Sequence, residues 1–65
     1  MNIEAYDHMR FAIARCGMAV LSLTSAMEPD SSSAEVMKEL DVAQAALETG
    51  LEAIEAALAQ VRGGP

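Results

Sequence analysis

Aromatic residues are almost missing from this chain: 65 residues hold one Phe, one Tyr and no Trp. Although 52% of the residues are hydrophobic, the core must be built from Ala, Leu, Ile, Val and five Met. Small side chains of this kind imply thin, closely spaced helices. Cysteine is reduced to Cys16 alone, which excludes an intrachain disulfide framework and suits a reducing compartment. Basic residues are scarce, four Lys and Arg against ten Asp and Glu, for a net charge of −6. That balance excludes nonspecific DNA or RNA binding, which depends on Lys and Arg displacing counterions. It also argues against anionic membrane surfaces. Long apolar runs are absent too, since none approaches the roughly 18 residues that cross a bilayer. Residues 11–26 have the look of a signal-peptide core, but Glu4 and Asp7 spoil a positive leader and Arg15 interrupts the run. A cytoplasmic protein is therefore expected.

What the chain does carry is helical periodicity. Asn2 suits an N-cap, and Glu4 and Asp7 lie near the positive end of the first helix dipole. From there Tyr6, Met9, Ile13, Cys16, Val20, Leu23 and Met27 follow an unbroken alternation of three and four residues, the spacing of a coiled-coil seam. A first helix over about residues 3–27 is predicted, ended by Pro29, which pushes Glu28 out of the helical region. After a polar turn over 28–32, Ser32 and Glu35 read as a capping box. The second helix is predicted over about 33–61, with a seam of Val36, Leu40, Ala43, Leu47, Gly50, Ile54, Ala57 and Val61 and a frayed tail over 62–65. So short a connection forces the helices antiparallel. The expected fold is all-α, a single antiparallel two-helix hairpin over residues 1–65.

Gly50 is the odd residue in that pattern. A glycine in a helix interior costs about 1 kcal/mol relative to alanine, so its use here points to close packing. With the turn centred between residues 30 and 31, Gly50 faces the region of Phe11 and is expected to make room for that ring.

Each helix also has a second apolar line: Phe11, Met18 and Leu21 on the first, Leu51 and Leu58 on the second. One contact between two helices needs a single stripe, so the surplus marks an interface. Domains of about 60 residues bury only about 60% of their unfolded surface, which adds to the case for self-association. A homo-oligomer with at least a four-helix core is expected, those five residues forming its interface.

Candidate chemistry is sparse. Cys16 and His8 are about 12 Å apart by helical rise, too far for a thiol and its base; a buried hydrophobic role suits Cys16 better. Glu4 with His8, and Glu48, Glu52 and Glu55 among themselves, are helical neighbours that read as solvated charge. They do not make the inward Glu-x-x-His pairs of a di-iron bundle. No cofactor, metal or catalytic group is expected, and the acidic outer face of helix 2 reads as a solvated wall. Tyr6, Arg10 and Arg15 are the exception, because a ring stacks on a base while arginine pairs with phosphate. The competing reading makes Tyr6 a cap on the open end of the bundle and Asp7–Arg10 an ordinary surface pair.

The run Val42-Ala43-Gln44-Ala45-Ala46-Leu47-Glu48-Thr49-Gly50-Leu51-Glu52-Ala53-Ile54-Glu55-Ala56-Ala57-Leu58-Ala59 resembles the second helix of a phage hairpin domain. That domain occurs in anti-CBASS cyclic-oligonucleotide sponges and related anti-Thoeris sponges. Leu47–Gly50 carries most of the likeness; Ile13, Gly17 and Val20 add a weaker one in helix 1. The resemblance implies a non-enzymatic helical hairpin that assembles with copies of itself. It further implies that nucleotide-type immune signals are held between subunits without being degraded, in the cytoplasm of an infected host. Tyr6, Arg10 and Arg15 would then bind the ligand, with Thr49 adding a hydroxyl, although a helical threonine more often bonds back to its own backbone. The chain departs from the family at Ala56 and Gln60, where basic residues are usual, and near Leu51, where aromatics are. A second class of function stays open: a protein-interaction adaptor, co-chaperone or host-protein inhibitor whose stripe Phe11, Met18 and Leu21 receives a partner helix. A bundle-type RNA-binding dimer needs a basic face on helix 1, which two arginines without a lysine do not supply.

Overall fold

Helix 1 starts where a side chain replaces the missing turn. In the computed structural model, which describes residues 2–63, Asn2 has an extended backbone and its side-chain oxygen accepts from Ala5 N at 3.1 Å. Helix α1 then runs Ile3–Ala26. Its end is tied off by Met27 N donating to Leu23 O and by the Ser31 hydroxyl donating to Ser25 O at 3.3 Å. The turn closes with Ser31 N donating to Glu28 O around Pro29, the position where proline pre-sets a tight turn. Ser32 caps α2: Glu35 N donates to its Oγ at 3.2 Å, while its hydroxyl donates to the Glu35 carboxylate. Helix α2 runs Ser33–Gly63. It is thus longer than its predicted end at 61, and Arg62 and Gly63 are helical instead of frayed; Gly64 and Pro65 lie outside the described residues.

The two helices pack antiparallel as a rod of 51 × 14 × 10 Å. The Asn2 amide donates to Gln60 O at 3.2 Å and so pins the open end. Among the described residues there is no strand, and no helix is long and apolar enough to cross a membrane.

The contact line differs from the expected seam, and the difference is systematic. In α1 the inward residues are Ala5, Ala12, Ala19 and Ser22, with His8, Arg15 and Ala26 half-buried. Each lies one position before its predicted counterpart, a rotation of about 100° about the helix axis. In α2 the predicted Ala43, Gly50 and Ala57 are buried and Val36 half-buried. Leu40, Leu47, Ile54 and Val61, however, give way to Glu39, Ala46, Ala53 and Gln60, again one position earlier. Every buried apolar side chain among the described residues is an alanine. Alanine lets helix axes approach to the short end of the roughly 8–10 Å range, and the long side chains are turned aside. Ala19 is 1% exposed, whereas Ile13, placed in the predicted seam, is 72% exposed.

Gly50 does sit at a close approach, but its neighbour is not Phe11. A side-chain carbon there would lie 3.4 Å from Arg15 Cβ and 3.8 Å from both Ala12 O and Cys16 Sγ. Phe11 is half exposed on one flank of α1. Cys16 is exposed too, not buried in a seam.

Candidate ligand groove and apolar face

Rotating the helices onto an alanine seam gives the hairpin two flanks of different character. On one flank Arg15 leaves the seam with its stem against Gly50. Its guanidinium carbon lies 5.1 Å from the centre of the Phe11 ring, a cation–π distance. Its Nη1 reaches Met18 Sδ at 3.1 Å, and its Nε is buried without a hydrogen-bond partner. Thioether sulfur is a weak acceptor, so the guanidinium keeps most of its capacity to donate. Arg15, Met18, Val42, Ala45, Ala46 and Thr49 line a groove of about 240 Å³ beside it.

Thr49 is therefore brought together with Arg15, but its proton is already used. Its hydroxyl donates to Ala45 O at 2.9 Å and to Ala46 O at 3.1 Å, the local back-bonding typical of a helical threonine. Towards a ligand it presents lone pairs, until a rotamer change frees the donor. Tyr6 and Arg10 do not join this groove. By helical spacing Tyr6 falls on the opposite flank of α1 and Arg10 on its outer edge, and both are exposed. The aromatic partner of the arginine is instead Phe11, and the four-residue spacing from Phe11 to Arg15 is the sequence signal for it.

The five anticipated interface residues are divided between the flanks as well. Phe11 and Met18 border the arginine groove, whereas Leu21 falls by helical spacing on the outer edge of α1 beside the line of Arg10. Leu51 and Leu58 lie on the other flank, where two apolar furrows run end to end. Leu23, Leu40, Leu47 and Leu51 line the one nearer the turn, about 400 Å³. Met9, Ile54, Leu58 and Val61 line the one nearer the open end, about 220 Å³. The large residues of the two predicted seams thus lie side by side on one surface of the hairpin, while Ala43, Gly50 and Ala57 stay in the contact. A polar hollow at the turn, bordered by Glu28, Asp30, Glu35 and Glu39 with Lys38, is solvated charge. Among the described residues no group of three His, Cys, Asp or Glu is placed to hold a metal ion.

No protein-family model, curated protein or solved structure matches this chain.

Proposed function

We propose that this chain is a non-enzymatic binding module that sequesters an anionic, nucleotide-derived signal between the subunits of a homo-oligomer. The observation that carries the reading is Arg15: a cation seated against the Phe11 ring, with a buried Nε lacking a partner, at the mouth of a groove in a strongly acidic molecule. Guanidinium pairs with phosphate and an aromatic face stacks on a base, so both halves of a nucleotide find a chemical counterpart within about one turn of α1. Phe11 and Met18 are exposed along the rim, and a second copy laid there would close the groove over its ligand. Sequestration without turnover fits the side chains present, because Cys16 and His8 do not form a nucleophile–base pair. The resemblance of Leu47–Gly50 to phage nucleotide sponges points the same way. Tyr6 and Arg10 stand apart from the groove in one hairpin and enter this reading only as contributions from a neighbouring subunit.

Isothermal titration against cyclic di- and trinucleotides and cyclic ADP-ribose isomers tests it. One member of the panel should bind, and Arg15→Ala should weaken that binding at least tenfold with the oligomer intact. Silence across the panel from an intact oligomer removes the reading. The furrowed flank favours a second reading, an adaptor that takes up a partner helix. Co-purification separates the two, since an adaptor emerges with a stoichiometric protein and a sponge with a small molecule absorbing as a nucleobase.

A further inference from the structure

The furrowed flank has a surface area in want of a partner. A folded chain of 6.8 kDa ordinarily exposes about 3,950 Å², whereas this hairpin exposes 4925 Å². The excess, about 1,000 Å², matches what each member of a stable pair buries, about 800 Å². It arises from the thin rod shape, and side-by-side packing is what removes it.

Charge and register say what covers the flank. By the seam spacing, the edge of α2 turned away from α1 carries Asp41, Glu48 and Glu55, while the matching edge of α1 is the line Ile3, Arg10, Gly17 and Thr24, with Glu4 and Asp7 turned toward the other flank. Two hairpins stacked flank to flank have two ways to obey a two-fold axis. An axis across the rod sets α2 on α2 and brings the acidic edges together. An axis along the rod sets α1 of each copy on α2 of the other, where Arg10 meets the acidic edge. Levels agree with the second arrangement. The Asn2–Gln60 hydrogen bond and the approach of Gly50 to Ala12, Arg15 and Cys16 place Tyr6 level with Leu58 and Ile13 level with Leu51. An axis along the rod preserves those levels, so large apolar residues face one another and Arg10 stands about level with Glu55.

We propose that the furrowed flank is the seat of a second copy of this chain, the two hairpins stacked about a two-fold axis along their length so that α1 of each lies on α2 of the other. All neighbouring helices are then antiparallel, the alanine seams hold each hairpin together, and the Leu, Ile and Met side chains form the core between hairpins. The arginine groove lies on the opposite flank and stays open in this pair, so the copy that closes it over a ligand is a further one, and the two contacts are tested separately.

Native mass spectrometry of the full chain and disulfide trapping test this. In a Cys16→Ala background, Ile13→Cys and Leu51→Cys chains are mixed unfolded, refolded together and oxidised. Gln44→Cys and Leu51→Cys chains are treated likewise as the probe of α2 on α2. A paired mass for the parent chain, with mixed disulfide dimers from the first mixture and not the second, is expected. A monomeric mass at micromolar concentration overturns the proposal, and so does any other pattern of cross-links. Loss of nucleotide binding, by contrast, leaves these readouts unchanged and counts only against the groove.

Discussion

Two glycines show how much the surroundings of one residue decide. Gly17 is exposed on the outer edge of α1, and a side-chain carbon there would meet nothing within 4 Å. Glycine in a helix interior is less favourable than alanine by about 1 kcal/mol, so Gly17→Ala should stabilise the fold by close to that amount in urea denaturation. Gly50 is buried, yet the carbon that alanine would add stands at 3.4 Å or more from its neighbours, ordinary contact distance. Gly50→Ala should therefore be accommodated and keep most of the same gain. Gly50→Leu reaches past that first carbon into the stem of Arg15 and the backbone of Ala12, and overpacking of this kind costs about 1–3 kcal/mol. A loss from Gly50→Ala larger than about 1 kcal/mol would show that the helices lie closer than described. A glycine in mid-helix implies a close approach, and Gly50 sits at one. The bulk of Phe11 makes its ring the natural candidate for that space, whereas the groups that come near are the Arg15 methylene, the Ala12 carbonyl and the Cys16 sulfur.

At the scale of the helix, the elements were legible and their orientation was not. Asn2, Ser32 with Glu35, and Pro29 are local signals, each acting through hydrogen bonds or sterics within a few residues, and the helix limits they imply match those observed at three of four ends to within a residue. The fourth overran because Arg62 and Gly63 continue α2. The rotation of each helix is a tertiary property. Reading it from hydrophobicity puts the largest side chains in the contact, and two parallel lines of candidates, Ala5-Ala12-Ala19 and Tyr6-Ile13-Val20, share the same heptad spacing. The alanine line forms the seam, which lets the backbones approach and turns Met9, Leu23, Leu40, Leu47 and Ile54 onto one flank. The candidate site changes with that rotation: Arg15 lies half-buried in the seam, with Phe11 and Met18 beside it in place of the expected Tyr6 and Arg10. An overpacking substitution distinguishes the two rotations. Ala19→Leu should destabilise the hairpin by about 1–3 kcal/mol, whereas a seam through Val20 would leave position 19 free to enlarge at no cost. Urea denaturation followed by circular dichroism reads the difference.

The whole molecule is governed by its thinness. A compact chain of 65 residues has a radius of gyration of about 11 Å, and this rod has 15.0 Å. Burying only alanines, a lone hairpin gains little from the hydrophobic effect for so much ordered backbone. With a second copy seated on the furrowed flank as proposed, folding and association are linked, and the melting temperature should depend on concentration. Solution scattering separates the ways in which such rods can associate. Stacked along their length with helix axes about 10 Å apart, two hairpins double the mass while the radius of gyration rises only to about 16–18 Å. Joined end to end, two rods of 51 Å would reach about 30 Å at the same mass. The expected result is the first, because the apolar furrows run along the rod and the polar hollow occupies the turn. A doubled mass with the larger radius would show that the ends, not the flank, hold the molecule together, and the core assigned to Leu40, Leu47, Ile54 and Val61 would have to be abandoned.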